Sequence, residues 1–340
     1  MAFSNKVSFA MRLLDSIAHY HAPLPPKAEL KPFAQRMAEC PLRFVLGDDL
    51  TRASAELAFA DGARLAGCLD LLRIPAPQMW IEWNDEAHKR VIYETQSAVE
   101  FDREAAGRRV GMLLRASADG FQAIGRTFWT DARADESAEV TLSPLETHID
   151  LRGEFARAPV GDDALTGGFI DVTDGEDPGM TSLLDHVRFR FEDSWAAYYR
   201  AAAADMAFRQ RLIRGSVAAV VRDAPFLLAF MLLLSAKDAT RRVQISRAAI
   251  NHKRAAHGRA PLLDHIEVKA SLDAVSVSDS RDDGGGRLAP RLHHVRGHLV
   301  RRDHHVFWRV PHLRGSASRG IVHSRTVCLS LTGRGGEARV

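Results

Sequence analysis

The sequence predicts an α+β protein: an N-terminal mixed helix and antiparallel β region, a helical middle, and a small C-terminal β module. Three observations carry that reading. Between Met79 and Trp129, short β-branched or aromatic runs alternate with Gly and Asp turns. From Thr181 to about His257, apolar residues recur at helical spacing. Beyond three consecutive glycines, Gly284 to Gly286, two runs at 292–300 and 304–310 flank Arg301-Arg302-Asp303 and read as paired strands.

Taken in order, Val7, Met11, Leu14 and Ile17 mark an amphipathic helix over 5–21 that stops before the Pro23–Pro26 cluster. A second helical stretch lies in 50–72. Strands are expected at Met79 to Trp83, Arg90 to Tyr93, Val110 to Leu114 and Ala123 to Trp129. Val140 to Leu142 and Ile149 to Leu151 add edge strands. These elements make an N-terminal domain over 1–156. Residues 157–180, rich in Gly, Asp, Thr and Pro, form a linker. In the helical region, 181–260, Leu183, Val187, Phe191, Trp195 and Tyr199 share one face. Phe226 to Leu234 is apolar on every side and reads as a buried core helix, with Pro225 where a helix would begin. A helix over about 246–257 ends at Gly258. The β module spans 264–332, with strands at 264–272, 292–300, 304–310 and Val322 to Leu331, and 333–340 is a tail.

Bulk properties bound the function. A chain of 340 residues suggests two or three domains, and 46% apolar with 26% charged residues excludes wholesale disorder. The net charge is only +3, but residues 281–340 hold twelve arginines against four acidic residues, leaving the remainder net negative. Such asymmetry points to a polyanion-facing end; codon bias in a GC-rich genome also favours arginine. Cys40, Cys68 and Cys328 form neither a disulfide framework nor a zinc CxxC pair, which fits a reducing cytosol. No signal peptide is expected. Ala224 to Leu234 is too short to span a bilayer, which takes about 20 residues, so a cytoplasmic protein without a membrane contact is expected.

One block is more specific. Asn251, Arg254, Gly258 and Pro261-Leu262 form Asn-x-x-Arg-x-x-x-Gly-x-x-Pro-Leu before a strand. It is followed by Arg296-Gly297-His298-Leu-Val-Arg301-Arg302, then Phe307-Trp308, then His312-Leu313-Arg314-Gly315. This arrangement resembles a set of uncharacterised phage and prophage proteins over about 90 residues. The resemblance implies a phage- or prophage-borne accessory protein of unassigned activity. The chain departs from the pattern at His304-His305 and Val310-Pro311, and its last expected strand, Arg325 to Leu331, lacks a tyrosine.

Seven of the fifteen histidines lie between 293 and 323, interleaved with arginine. Along a strand, alternate residues share a face, so His294, Arg296 and His298 project together. A ribbon of this kind suits a phosphate backbone, because the guanidinium fork donates two hydrogen bonds. Arg296, His298, Arg301, Arg302, Arg309 and Arg314 are the expected contacts to DNA or RNA, with Trp308 stacking on a base. No resident cofactor is expected. The competing reading is zinc on His294, His298, His305 and His312, in a metal-dependent nuclease or other hydrolase. Its difficulty is that His294 and His298 lie about 13 Å apart on a strand. Trp80 and Trp83 are most simply core or sheet-face residues; a third reading, a virion or assembly component, uses them as a protein interface if they are not both buried. No phosphate-loop, Gly-x-Ser-x-Gly or His-Glu-x-x-His motif occurs.

Overall fold

Trp80 and Trp83 face opposite sides of one strand and both are completely buried, so the sheet carrying them is covered on both faces. The computed structural model of the chain describes residues 13–15, 17, 23–24, 28–29, 31–95, 108–130, 140–153, 155, 164–170, 182–202, 206–237, 239–271, 276–277, 291–295, 298–309, 312–314 and 316–321. The protein is α+β.

Eight strands form the large sheet: β1 (Leu42–Leu46), β2 (Gln78–Asn84), β3 (Arg109–Ala116), β4 (Gln122–Thr130), β5 (Val140–Asp150), β6 (Val187–Phe191), β7 (Thr240–Ile245) and β8 (His265–Ala270). Their order is β6-β5-β4-β3-β2-β1-β8-β7. β1 runs parallel to both β2 and β8, and every other neighbouring pair is antiparallel. The parallel β1–β2 pair needs a crossover, supplied by α2 (Asp48–Ala60), whereas α1 (Lys31–Glu39) precedes β1.

One face of the sheet is covered by α2, by α4 (Asp85–Thr95) and by α7 (Asp223–Ser235). α7 is apolar all round, the signature of an interior helix, and all its residues from Asp223 to Leu234 are buried. Phe226 packs on Trp83 at 5.1 Å between ring centres, and Phe230 on Phe44 at 6.2 Å. On the other face, Leu13, Leu14, Ile17 and Met37 close over Trp80, Leu113 and Phe128. This two-sided burial puts Trp80 and Trp83 in the two halves of the core, as the simplest reading of their pattern expects, and leaves neither ring exposed as an interface. α6 (Met206–Ala218) and α7 together form one helical stretch, Ala207–Ser235, long and apolar enough to cross a membrane by length and composition, yet its apolar C-terminal part, α7, is buried within the fold while α6 is exposed or half-buried.

Chain contacts divide the molecule into two units. The larger comprises Met1–Ser271 and Leu299–Phe307, the smaller Leu272–His298 and Trp308–Val340. In the smaller unit β9 (Arg291–Val295) pairs antiparallel with β12 (His312–Arg314) and parallel with β13 (Ser316–Ile321).

Several elements differ from expectation, for identifiable reasons. Arg90 to Tyr93 lies inside α4, because Asp85–Lys89 and Glu86–Arg90 ion pairs at i, i+4 support a helix. Val187 to Phe191 is strand β6, not helix; a four-residue spacing fits both periods, and Phe189 completes the alternation. The two short runs at 140–142 and 149–151 are the ends of one strand, β5. The strand expected to open the C-terminal module, β8, completes the large sheet between β1 and β7. The expected strand Val322 to Leu331 lies outside the described residues.

Candidate functional site

The basic ribbon is a two-stranded hairpin, β10 (His298–Arg302) and β11 (His305–Arg309), turning at Asp303 and His304. Asp303 takes φ 51°, a left-handed conformation that Asp tolerates better than most residues. Leu299 is buried and anchors the hairpin, whereas Arg301, Arg302, Asp303, His304, His305 and Phe307 are exposed. Phe307 forms an isolated parallel bridge with Lys237, just before β7.

Arg301 has partners within the larger unit. It grips Asp70 with two hydrogen bonds, Nη1–Oδ1 at 2.9 Å and Nη2–Oδ2 at 3.1 Å, and also donates to the Gly67 carbonyl. These bonds tie the hairpin to the segment 67–70 of the same unit. Both partners are substantially exposed, so Asp70→Asn is expected to lower stability by only about 0–1 kcal/mol in urea unfolding.

The remaining residues divide. Arg302 is exposed within the larger unit; in the smaller one, His298 and Trp308 are half-buried, and Arg309 and Arg314 are exposed. Arg296 lies outside the described residues. His294 sits in β9 opposite Leu313, and His312 in β12 opposite Val295; their side chains lie outside the described residues. Among the described residues no group of three His, Cys, Asp or Glu side chains is placed to hold a metal ion.

A larger basic surface precedes the hairpin in sequence. Residues 240–259 hold six Arg or Lys and no Asp or Glu. They fold as the edge strand β7 and as α8 (Ala248–Ala256), a helix with no buried residue. Arg241, Arg242, His252 and Lys253 are exposed beside Val243 and Ile250, although Arg242 Nη2 also donates to the Leu234 carbonyl at 2.5 Å.

Here the Asn-x-x-Arg-x-x-x-Gly-x-x-Pro-Leu block has a structural explanation. The Asn251 side chain donates to the Leu262 carbonyl at 2.8 Å and accepts from the Leu262 N–H at 2.7 Å. Arg254 Nε donates to the Ala260 carbonyl at 2.8 Å. Gly258 takes φ 62°, while Gly258 N and Arg259 N bond back to the carbonyls of Ala255 and Arg254, a Schellman ending for α8. The block thus shapes the return from α8 into β8.

Two cavities in the larger unit also gather polar groups. A cleft of 460 Å³ includes Phe33, Arg36, Leu113, Arg126, Glu146 and Glu192 in its lining. Its charges largely answer one another: Glu146 meets Arg190 at 2.9 Å and Arg126 at 3.7 Å, and its hydrogen bond with His148 leads the contacts that pull its pKa down to about 2. The second cavity, 60 Å³, lies among Asp85, His88, Lys89, Ala218, Ala219, Arg222 and Asp223. His88 Nδ1 stands 3.6 Å from Asp223 Oδ1, beyond hydrogen-bond reach. Burial lowers the His88 pKa to about 4. Sequence pattern alone does not reveal this cluster. Asp85, His88 and Lys89 share a helical face by spacing, but Asp223 lies far along the chain and only folding brings it near.

No protein-family model, curated protein or solved structure matches the chain.

Proposed function

We propose that this is a phage- or prophage-encoded accessory protein that binds nucleic acid through the exposed basic surface of β7 and α8, extended by the hairpin residues Arg302, His304 and His305. The observation that carries the reading is the acid-free run 240–259, laid out on an edge strand and a helix that bury almost nothing. Solvent-facing cations such as Arg241, Arg242 and Lys253 attract phosphate and release its counterions. Exposed Phe307, Val243 and Ile250 supply apolar contact beside the charge. The phage association rests on the Asn251-to-Leu262 block and the Arg-Gly-His segment that follows it.

Fluorescence anisotropy with labelled duplex DNA, single-stranded DNA and RNA tests the proposal. Binding in the range of about 10⁻⁴–10⁻⁶ M is expected, weakening steeply from about 50 to 200 mM salt. Arg241→Ala and Lys253→Ala should each reduce the salt slope by about 1. Absence of binding to all three probes at the lower salt would remove the proposal.

A further inference from the structure

His88 is 2% exposed, and among the described residues neither ring nitrogen has a hydrogen-bond partner. Native proteins rarely keep a buried polar group in that state without a reason. The ring is held in place by Phe226, 4.6 Å away between centres. Beside it is the 60 Å³ cavity, and at the cavity stands the first turn of α7, whose N-terminus has no side-chain cap.

The charged groups around the ring come from three places. α4 contributes Asp85 and Lys89, the chain entering β3 contributes Arg108, and the turn into α7 contributes Arg222 and Asp223. Asp85 Oδ2 is matched by Lys89 Nζ at 3.0 Å and Arg108 Nε at 3.7 Å. Burial, reinforced by the charge of Asp85, pushes the Asp223 carboxyl well up from its usual range, toward the neutral form. Lys89 and Arg222 thus both line a space far smaller than the roughly 300 Å³ of an organic-ligand pocket.

We infer that this cavity binds a small oxyanion of the size of inorganic phosphate, held by Lys89 and Arg222, with the His88 ring and the Asp223 carboxyl hydrogen-bonding to it. In the empty site His88 is neutral. A bound dianion supplies the opposite charge that burial denies it, so the ring takes one proton from solvent as the anion enters.

The test uses the full chain and inorganic sulfate, which has the size of phosphate and is a full dianion at pH about 6, by calorimetric titration at constant ionic strength in two buffers of different ionisation enthalpy. Saturable binding with uptake of nearly one proton is expected. Lys89→Met, at the more exposed rim, should weaken binding about tenfold, and His88→Gln should remove the proton uptake. Should His88→Gln not fold, Lys89→Met and the proton count still decide. The inference is overturned if no saturable heat appears up to about 10 mM sulfate, a result that would make the cavity a water site only. It is equally overturned if Lys89→Met binds like the parent, or if a duplex oligonucleotide, too large to enter, competes with sulfate.

Discussion

Arg109→Leu is expected to cost about 3–5 kcal/mol at pH 8, and distinctly less at pH 5, when urea unfolding is compared with the parent protein. Glu82, on the central strand β2, is completely buried. Its carboxylate accepts from Arg109 Nε at 3.1 Å and from Trp80 Nε1 at 3.3 Å. Burial nevertheless wins over these contacts and pushes the Glu82 pKa up from 4.5 to about 7. With a raised folded-state pKa, the stability carried by the protonated form is fully present below about 4.5 and is lost as pH rises through about 7. Removing the guanidinium raises that pKa further, so the penalty of the variant grows across neutral pH. His88 works in the opposite direction: with its pKa lowered from 6.5 to about 4, its contribution is present above 6.5 and is lost as pH falls toward 4. Parent and variant share His88, so the difference between them isolates Glu82. Replacing both partners by apolar residues should recover much of the loss, because the desolvation of the pair disappears with its attraction. An equal cost at both pH values would show that Glu82 does not titrate in this window.

Gly111→Ala should cost about 3 kcal/mol or more, at the top of the range for overpacking a core. A Cβ at Gly111 would stand 2.2 Å from Trp80 Cζ2 and 2.4 Å from Cη2. The indole cannot retreat. It is buried against Phe128 at 5.9 Å and covered by Leu13, Leu14, Ile17 and Met37, and its N–H is committed to Glu82. Gly125→Ala makes an informative contrast. There the new Cβ would meet Met112 Sδ at 2.5 Å and Leu114 Cδ2 at 3.1 Å, both at the ends of flexible side chains, so about 1 kcal/mol is expected. Gly111→Ala combined with Trp80→Leu should be less damaging than the sum of its parts. A Gly111→Ala protein within about 1 kcal/mol of the parent in urea would mean that the ring does move.

Much of the fold was legible because its signals are local. The apolar run Phe226 to Leu234 announced an interior helix, and alternation around Met79 to Trp83 announced a strand. Gly258 at the end of a helical period announced a C-terminal cap. Where two periods shared a spacing, as at Leu183, Val187 and Phe191, local pattern could not choose, and pairing with β5 decided for strand. The basic character of 240–259 and of the hairpin was equally visible as composition. That Arg301 is tied to Asp70, however, depends on two segments 231 residues apart.

By itself, then, the sequence determined the α+β class, the buried helix, the hairpin and where positive charge accumulates, because each follows from residues within a turn or two of one another. Only the tertiary structure decided which charges stay exposed and which are consumed. It placed β8 beside β1, put Glu82 against Arg109, and brought Asp223 to His88. Those outcomes rest on desolvation and distance between remote segments, quantities that exist only once the chain has closed around its core.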